Sequence, residues 1–190
     1  AQRAGYQHLL ALAAGLEPVV TVVVHPCDKE SLTGAIEAAN AGLIIPIFVA
    51  PEQKLRALAT SLGIDLSPYE LVPAAHSHDA AAKAVALVRE GAAEAQMKGS
   101  LHTDELLAEV VARETGLRTG RRMSHVFILD VPNYPRPLFL TDAAININPT
   151  LMDKRDIVQN AIDLTHILGI SNPMVAILSA VETVNPEIRS

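Results

Sequence analysis

The sequence predicts an α/β protein in which helices cover both faces of a mainly parallel sheet, giving α/β/α layers. Short apolar runs such as TVVVHP (21–26) alternate with segments of helical periodicity, and the connections between them are short. This order is typical of right-handed βαβ units. Hydrophobic residues make up 49% of the 190 residues but aromatic residues only 3%, so aliphatic side chains must fill the core.

The first part of the chain is a near-strict alternation of predicted strands and helices. The strands are 21–26, 44–50, 69–75 and 93–99, and the helices are 2–15, 29–42, 51–63, 77–91 and 103–116. Proline and glycine residues near several helix ends support these bounds. Pro46 lies inside the second strand, which predicts an irregular strand or one near a sheet edge.

The pattern changes after Gly116. Two strand-like runs, 123–132 and 136–145, predict an antiparallel hairpin. A helix over 151–168 and a buried strand over 174–180 follow.

These elements predict three regions. We expect an N-terminal helix or linker over 1–17, a first α/β domain over 18–118 and the start of a second α/β domain over 119–190. One hairpin, one helix and one strand cannot cover both faces of a sheet, so the second domain is expected to be incomplete.

Composition excludes several functional classes. The net charge of −6 argues against general nucleic-acid binding. The single cysteine, Cys27, excludes an internal disulfide framework and a zinc site built on several cysteines, and favours a reducing compartment, the cytoplasm. No apolar run approaches the roughly 20 residues of a membrane-spanning helix. His76 and His78 are two residues apart and do not share a helix face, so no metal site is predicted.

The first candidate site is the turn KGSLHTD (98–104), where a predicted strand leaves the sheet and a helix begins. Ligands of open α/β sheets bind outside the carboxyl ends of the strands. Gly99 allows a tight turn or close approach to a ligand. Ser100, Thr103 and the first helix amides can donate to an anion. The alternative is that Ser100 and Thr103 only cap the helix, whose acidic first turn already satisfies its dipole.

A basic cluster follows, formed by Arg113, Arg118, Arg121 and Arg122. Coenzyme A carries a 3′-phosphate and a pyrophosphate, which the planar guanidinium group suits. A solvated linker between domains and a salt-bridge patch at a subunit contact are the two alternatives.

Two further segments place polar groups at strand ends. Thr141, Asp142 and Asn146 follow the second strand of the hairpin and could project into a cleft, although such residues usually satisfy turn backbone. Ser179 ends the predicted strand 174–180. It lacks the G-x-S-x-G elbow of a nucleophile, so an anion-holding hydroxyl is the better interpretation.

Six segments in this order resemble the phosphate acetyltransferase/phosphate butyryltransferase family, over residues 18–190. They are HPCDKESLTGAIEAANAGLIIPIFVAP, MKGSLHTDELL, GRRMSHVFILDVP, TDAAININPT, KRDIVQNAID and VAILSAVETVNP. The resemblance is strongest to the form fused behind a MaoC-like enoyl-CoA hydratase domain. It implies the isocitrate/isopropylmalate dehydrogenase-like fold, with the active site between two α/β domains.

The resemblance also implies a reaction and site residues. The family transfers an acyl group between coenzyme A and phosphate, with coenzyme A as substrate and no bound cofactor or metal. The substrate and phosphate residues that it implies are Gly99, Ser100, His102, Thr103, Thr141, Asp142, Asn146 and Ser179. We expect Arg118, Arg121 and Arg122 to contact coenzyme A.

The family's thiol-activating base belongs to its C-terminal portion, so the resemblance implies that the base lies beyond Ser190 and that this fragment is truncated and inactive alone. An upstream fused hydratase domain and a homo-oligomer are further expectations. The alternative function is a non-catalytic acyl-CoA or phosphate-binding module that partners a hydratase.

Overall fold

The structure is a computed structural model that describes residues 4–179 and 181–188. Residues 2 and 3 of the predicted first helix and Ala180 of the predicted last strand lie outside these ranges. By its internal contacts the chain divides into two compact units. One is Ala13–Arg118, and the other combines Ala1–Leu12 with Thr119–Ser190. The predicted domain bounds stay a prediction.

The unit Ala13–Arg118 is built on a four-stranded parallel sheet. Its strands are β1 (Val19–Val24), β2 (Ile44–Ala50), β3 (Glu70–Pro73) and β4 (Ala95–Lys98), in the order β3-β2-β1-β4. Val22 of β1 is opposite Ile47 on one side and Gln96 on the other. The mixed α/β fold with a parallel sheet is therefore confirmed.

Helices cover both faces of this sheet, because successive strand residues point to opposite sides. The helices are α2 (Lys29–Asn40), α3 (Glu52–Leu62), α4 (Ser77–Arg89) and α5 (Thr103–Val110). On one face Val22 and Val24 pack with Ala80 and Ala84 of α4. On the other face Val23 and Phe48 pack with Leu32 of α2 and Leu55 of α3.

The last helix of this unit is shorter than the sequence predicts. The helix predicted over 103–116 ends at Val110, and residues 113–115 form a turn that the Leu117 amide closes on the Val110 carbonyl at 2.8 Å. A Cβ on Gly116 would lie 2.5 Å from the same carbonyl oxygen, so glycine permits this turn.

Pro46 lies in an interior strand, which the sequence did not predict. The Ala50 carbonyl accepts a hydrogen bond from the amide of Ala74, which directly follows β3. The backbone N–H and C=O groups of even-numbered residues in β2 therefore point towards β3. Pairing with β3 begins only at Ile47, so the missing N–H of Pro46 faces no strand there.

The second unit contains an antiparallel hairpin, as predicted, and a long helix. The hairpin strands are β5 (Val126–Leu129) and β6 (Leu138–Thr141), and the helix is α6 (Leu151–Ile167). Thr150 and Asp153 cap α6 reciprocally. A short helix, α1 (Ala4–Ala13), begins the described chain.

The prediction of a strand over 174–180 is wrong for residues 174–179, which the structure describes. Residues 174–179 form no strand, and Met174 and Leu178 are 92% and 82% exposed. A strand needs a neighbour that pairs with its backbone N–H and C=O groups, and none of the described residues supplies one. An apolar run in the sequence is therefore not enough to predict a strand.

Candidate functional site

Two loops meet at the carboxyl edge of the parallel sheet, one after β1 and one after β4. The Gly99 amide donates to the Val24 carbonyl at 2.8 Å, and the Ser100 amide donates to the His25 carbonyl at 2.9 Å. A Cβ on Gly99 would lie 2.5 Å from the Val24 oxygen and 2.6 Å from the His25 oxygen. Gly99 therefore permits the close approach of two backbones.

The Ser100 hydroxyl holds these two loops together. Its Oγ donates to the His25 carbonyl oxygen at 2.8 Å and accepts from the Cys27 amide at 3.2 Å. The same oxygen lies 3.1 Å from Nδ1 of the His25 ring. Ser100 itself is exposed, so the loop is open to solvent.

The N-terminus of α5 is free of a side-chain cap. His102 occupies the N-cap position without a capping hydrogen bond, and both His102 and Thr103 are exposed. By contrast, Asp28 caps α2 and His76 caps α4. Unpaired first-turn amides can hold an anion. Asp104 and Glu105 lie in the same turn and oppose this.

Burial, more than the neighbouring charges, favours the uncharged forms of His25 and Cys27 at neutral pH. Burial lowers the pKa of His25, Lys54 lowers it further, and Glu105 opposes both. Burial raises the pKa of the Cys27 thiol. The Lys98 ammonium donates to the Gly99 carbonyl at 3.2 Å, so a cation lies at the same turn.

In the other unit, Asp142 organises the loop that follows β6. Its carboxylate accepts from the amides of Ala144 at 3.0 Å, Ile145 at 3.1 Å and Asn146 at 2.9 Å, and from the Asn146 side chain. Burial opposes ionisation, but these hydrogen bonds outweigh it and lower the pKa of Asp142. The Thr141 hydroxyl donates to the His125 carbonyl at 2.8 Å. Thr141, Asp142 and Asn146 are thus brought together.

Two of the three predicted arginines are bound to partners in this unit. Arg121 donates to Asp163 at 2.5 Å. The Arg122 side chain donates to Asn146 at 2.7 Å, and its amide donates to Asp156 at 3.0 Å. The basic segment therefore docks onto acidic residues of α6.

Arg118 and Ser179 are the two remaining predicted residues. Arg118 belongs to the unit Ala13–Arg118, is exposed, and forms no ion pair with any described residue. Ser179 is exposed in the irregular segment, and its hydroxyl accepts from the Val181 amide at 3.4 Å.

Sequence reasoning missed His25, Lys54 and Glu105. His25 directly follows β1 at the carboxyl edge, and the rule that ligands bind at that edge would have found it. Lys54 and Glu105 are ordinary first-turn helix residues with no local signal.

Two cavities are lined by residues outside these clusters. One of about 490 Å³ is lined by Val85 and Arg89 of α4 and by Glu109 and Thr115. Across residues 4–179 and 181–188, no group of three or more His, Cys, Asp or Glu side chains is arranged to hold a metal ion. In the same ranges, no helix has the length and apolar character to span a bilayer.

Comparison with known proteins gives the family. The family described as "Phosphate acetyl/butaryl transferase" matches residues 70–190, well over half of the chain. The chain belongs to this family.

Relatives within the phosphate acetyl/butyryl transferase family cover most of the chain. Phosphate acetyltransferase from Rhizobium meliloti is 61% identical over 190 residues, which are 100% of this chain and 60% of that protein. Phosphate butyryltransferase from Clostridium acetobutylicum is 39% identical over 86% of this chain and 54% of that protein. The chain therefore spans little more than half the length of these relatives.

Solved structures of similar proteins share the fold. A branched-chain phosphotransacylase from Enterococcus faecalis V583 has a TM-score of 0.69 and 29% identity, over 89% of this chain and 59% of that chain. A phosphotransacetylase from Streptococcus pyogenes has a TM-score of 0.76 and 20% identity, over 98% and 66% respectively. The second likeness, at this identity, shows the fold alone.

Proposed function

We propose that the protein carrying this chain is an acyltransferase that interconverts acyl-CoA plus phosphate with acyl phosphate plus coenzyme A. Membership of the phosphate acetyl/butyryl transferase family supports this reaction class. The observation that carries it is the uncapped, exposed N-terminus of α5 at the carboxyl edge of the sheet, beside the Lys98 ammonium. Such a helix end binds phosphate groups.

The proposed reaction is direct transfer. Towards acyl-CoA, the thiolate attacks the carbonyl carbon of the acyl phosphate, a C–S bond forms, the C–O bond breaks, and phosphate leaves. A free thiol has a pKa of roughly 8.5, so a base must favour the thiolate. The leaving phosphate needs fixed donors. We propose that this base lies beyond Ser190, as the family resemblance implies.

The turn 99–103 supplies the phosphate donors in this proposal. The Thr103 hydroxyl and the first amides of α5 bind the phosphate oxygens, with His102 at the rim. Gly99 and Ser100 position the turn, because Gly99 permits the backbone contact and the Ser100 hydroxyl is already shared with His25 and Cys27.

The residues of the other unit serve the second substrate in this proposal. Asp142 shapes the loop that carries Asn146, and Arg122 reaches that loop through its bond to Asn146. Arg121, Arg118, Thr141 and Ser179 complete the proposed set for acyl-CoA. One relative is named for acetyl transfer and the other for butyryl transfer, so we propose a short-chain acyl substrate.

We also propose a cytoplasmic location, where coenzyme A esters and a reduced Cys27 are compatible. Coenzyme A acts as a substrate and no resident cofactor is required. The homo-oligomer and the fused hydratase domain stay predictions.

The test is Thr103→Val in the full-length protein, because valine keeps the shape and removes the hydroxyl. We expect KM for phosphate to rise at least about tenfold, as for loss of one hydrogen bond to a charged group. Thr60→Val is the matched control, since that hydroxyl donates to Arg56 within α3, about 12 Å along the helix from the carboxyl edge. Equal phosphate dependence in wild type and Thr103→Val would remove Thr103 from the site.

A further inference from the structure

The hydrogen bonds around Ser100 favour one position for the proton of the neutral His25 ring. Ser100 Oγ has one hydrogen, and its 2.8 Å contact with the His25 carbonyl oxygen fits an O–H donor to a carbonyl. The 3.1 Å contact with His25 Nδ1 fits an N–H donor to oxygen. We therefore place the proton of the neutral ring on Nδ1 and the lone pair on Nε2.

Nε2 of His25 is available to a ligand. It has no hydrogen-bond partner among the described residues. In that part of the chain, the fully buried side-chain polar atoms without a partner belong to Gln96, Glu105 and His125. Nε2 of His25 is not one of them, so this atom keeps some contact with solvent, although the residue as a whole is only 9% exposed.

The backbone holds this ring in an uncommon conformation. His25 has φ of 51°, in the left-handed region that non-glycine residues rarely adopt. Its carbonyl accepts from the amides of Cys27 and Ser100, at 2.8 Å and 2.9 Å. Such conformations persist where surrounding contacts over-determine them, and they cluster at functional sites.

We propose that His25 is a further catalytic residue, whose Nε2 accepts the proton of the phosphate hydroxyl when phosphate attacks the acyl-CoA carbonyl. This rests on the proposed acyl transfer. The turn that binds His25 is the turn proposed to bind phosphate, because Ser100 bonds to His25 and lies three residues before Thr103.

The proton and the bonds balance in this step. A phosphate dianion carries one P–OH group. As its oxygen attacks the thioester carbon, a C–O bond forms, the C–S bond breaks, and coenzyme A leaves as a thiolate. The P–OH proton passes to Nε2. The protonated form of the thiol base proposed above gives its proton to the thiolate, which yields the free thiol, and the His25 imidazolium releases its proton to solvent. In reverse, that base takes the thiol proton, and His25, protonated from solvent, donates its proton to the departing phosphate.

The charged groups that face His25 suit a proton acceptor. They are Asp28 before α2, Lys54 on α3 and Glu105 on α5. Burial and Lys54 lower the pKa of His25, so the ring is unprotonated at neutral pH. Glu105 and Asp28 act in the opposite direction and stabilise the imidazolium once it forms.

The test is His25→Asn in the full-length protein. Asparagine tolerates positive φ, and its side-chain amide can replace the Nδ1–H donor to Ser100, but it has no group at the Nε2 position. We expect kcat for acyl phosphate formation to fall about 100-fold or more, with KM for phosphate changed less than about threefold. The acid limb of the pH–rate profile, where His25 takes up a proton, should disappear. His166→Asn, at an exposed position of α6, is the matched control and should have wild-type activity.

The outcomes of these experiments distinguish failure of the proposed acyl transfer from failure of the proposed role of His25. Wild-type protein without acyl phosphate formation would contradict the proposed function. Active wild type with equally active His25→Asn, or with an unchanged acid limb, would overturn the role of His25 alone. If His25→Asn fails to fold, the ¹⁵N spectrum of wild-type imidazoles decides. A neutral His25 protonated at Nδ1 supports the proposal, and one protonated at Nε2 overturns it.

Discussion

Replacing Gly99 by alanine should destabilise the protein, because the new methyl group meets backbone rather than flexible side chains. The Cβ would lie 2.5 Å from the Val24 oxygen, 2.6 Å from the His25 oxygen and 2.7 Å from the His25 carbonyl carbon. These distances are about 1 Å shorter than ordinary van der Waals contact. The turn must move away from β1, which weakens the bonds from the Gly99 and Ser100 amides.

The size of this effect follows from two contributions. Overpacking costs about 1–3 kcal/mol, and each weakened hydrogen bond costs about 1 kcal/mol. We expect Gly99→Ala to lower the free energy of unfolding by about 2–4 kcal/mol, measured by urea denaturation.

Gly34→Ala is the matched control for this prediction. Gly34 lies inside α2, and apart from its chain neighbours and the backbone of the helix itself, no atom lies within 4 Å of the position that an alanine methyl group would occupy there. Alanine should therefore stabilise the helix by about 0.5–1 kcal/mol. A Gly99→Ala protein that unfolds at the wild-type urea concentration would refute the close-approach argument.

Other substitutions test separate contacts. Asp142→Asn should lower the free energy of unfolding by about 1–2 kcal/mol at pH 7. Because the pKa of Asp142 is lowered on folding, its contribution is present above the unfolded pKa near 4 and is lost as the pH falls through the folded pKa. Urea unfolding at pH 7 and pH 3 should therefore show a smaller acid effect in the variant. Thr150→Ala removes the capping box of α6 and should cost about 1 kcal/mol by the same assay. Lys54→Met should raise the pKa of His25 and Glu105→Gln should lower it, measured by NMR titration of the ring.

Much of the fold could be predicted because its signals are local. The apolar runs of β1 and β2, the glycine at the end of α3 and the prolines around it mark elements within a few residues. Alternation of strand and helix then gives a parallel sheet, since crossover connections favour it. The predicted C-terminal end of α5 was wrong because the helix ends at a turn that the Leu117 amide closes and that Gly116 permits.

The wrongly predicted strand over 174–180 and the missed residue His25 share one physical cause. The segment 174–179 has the composition of a strand, but pairing needs a neighbour that composition does not reveal. The place of His25 directly after β1 can be read locally, but its contact with Ser100, which is 75 residues away in the chain, cannot. Glycine, serine and threonine in the turn 99–103 could be singled out locally, whereas the ring opposite them depends on tertiary contact.

The most direct test of the proposed phosphate site at α5 is phosphate-dependent release of the coenzyme A thiol by the full-length protein. Initial rates would be measured with acetyl-, propionyl- and butyryl-CoA over a range of phosphate concentrations. We predict saturable dependence on phosphate, with acyl phosphate formed in equal amount to the free thiol. Thiol release that is absent for all three esters, or that proceeds equally without phosphate, would contradict the account.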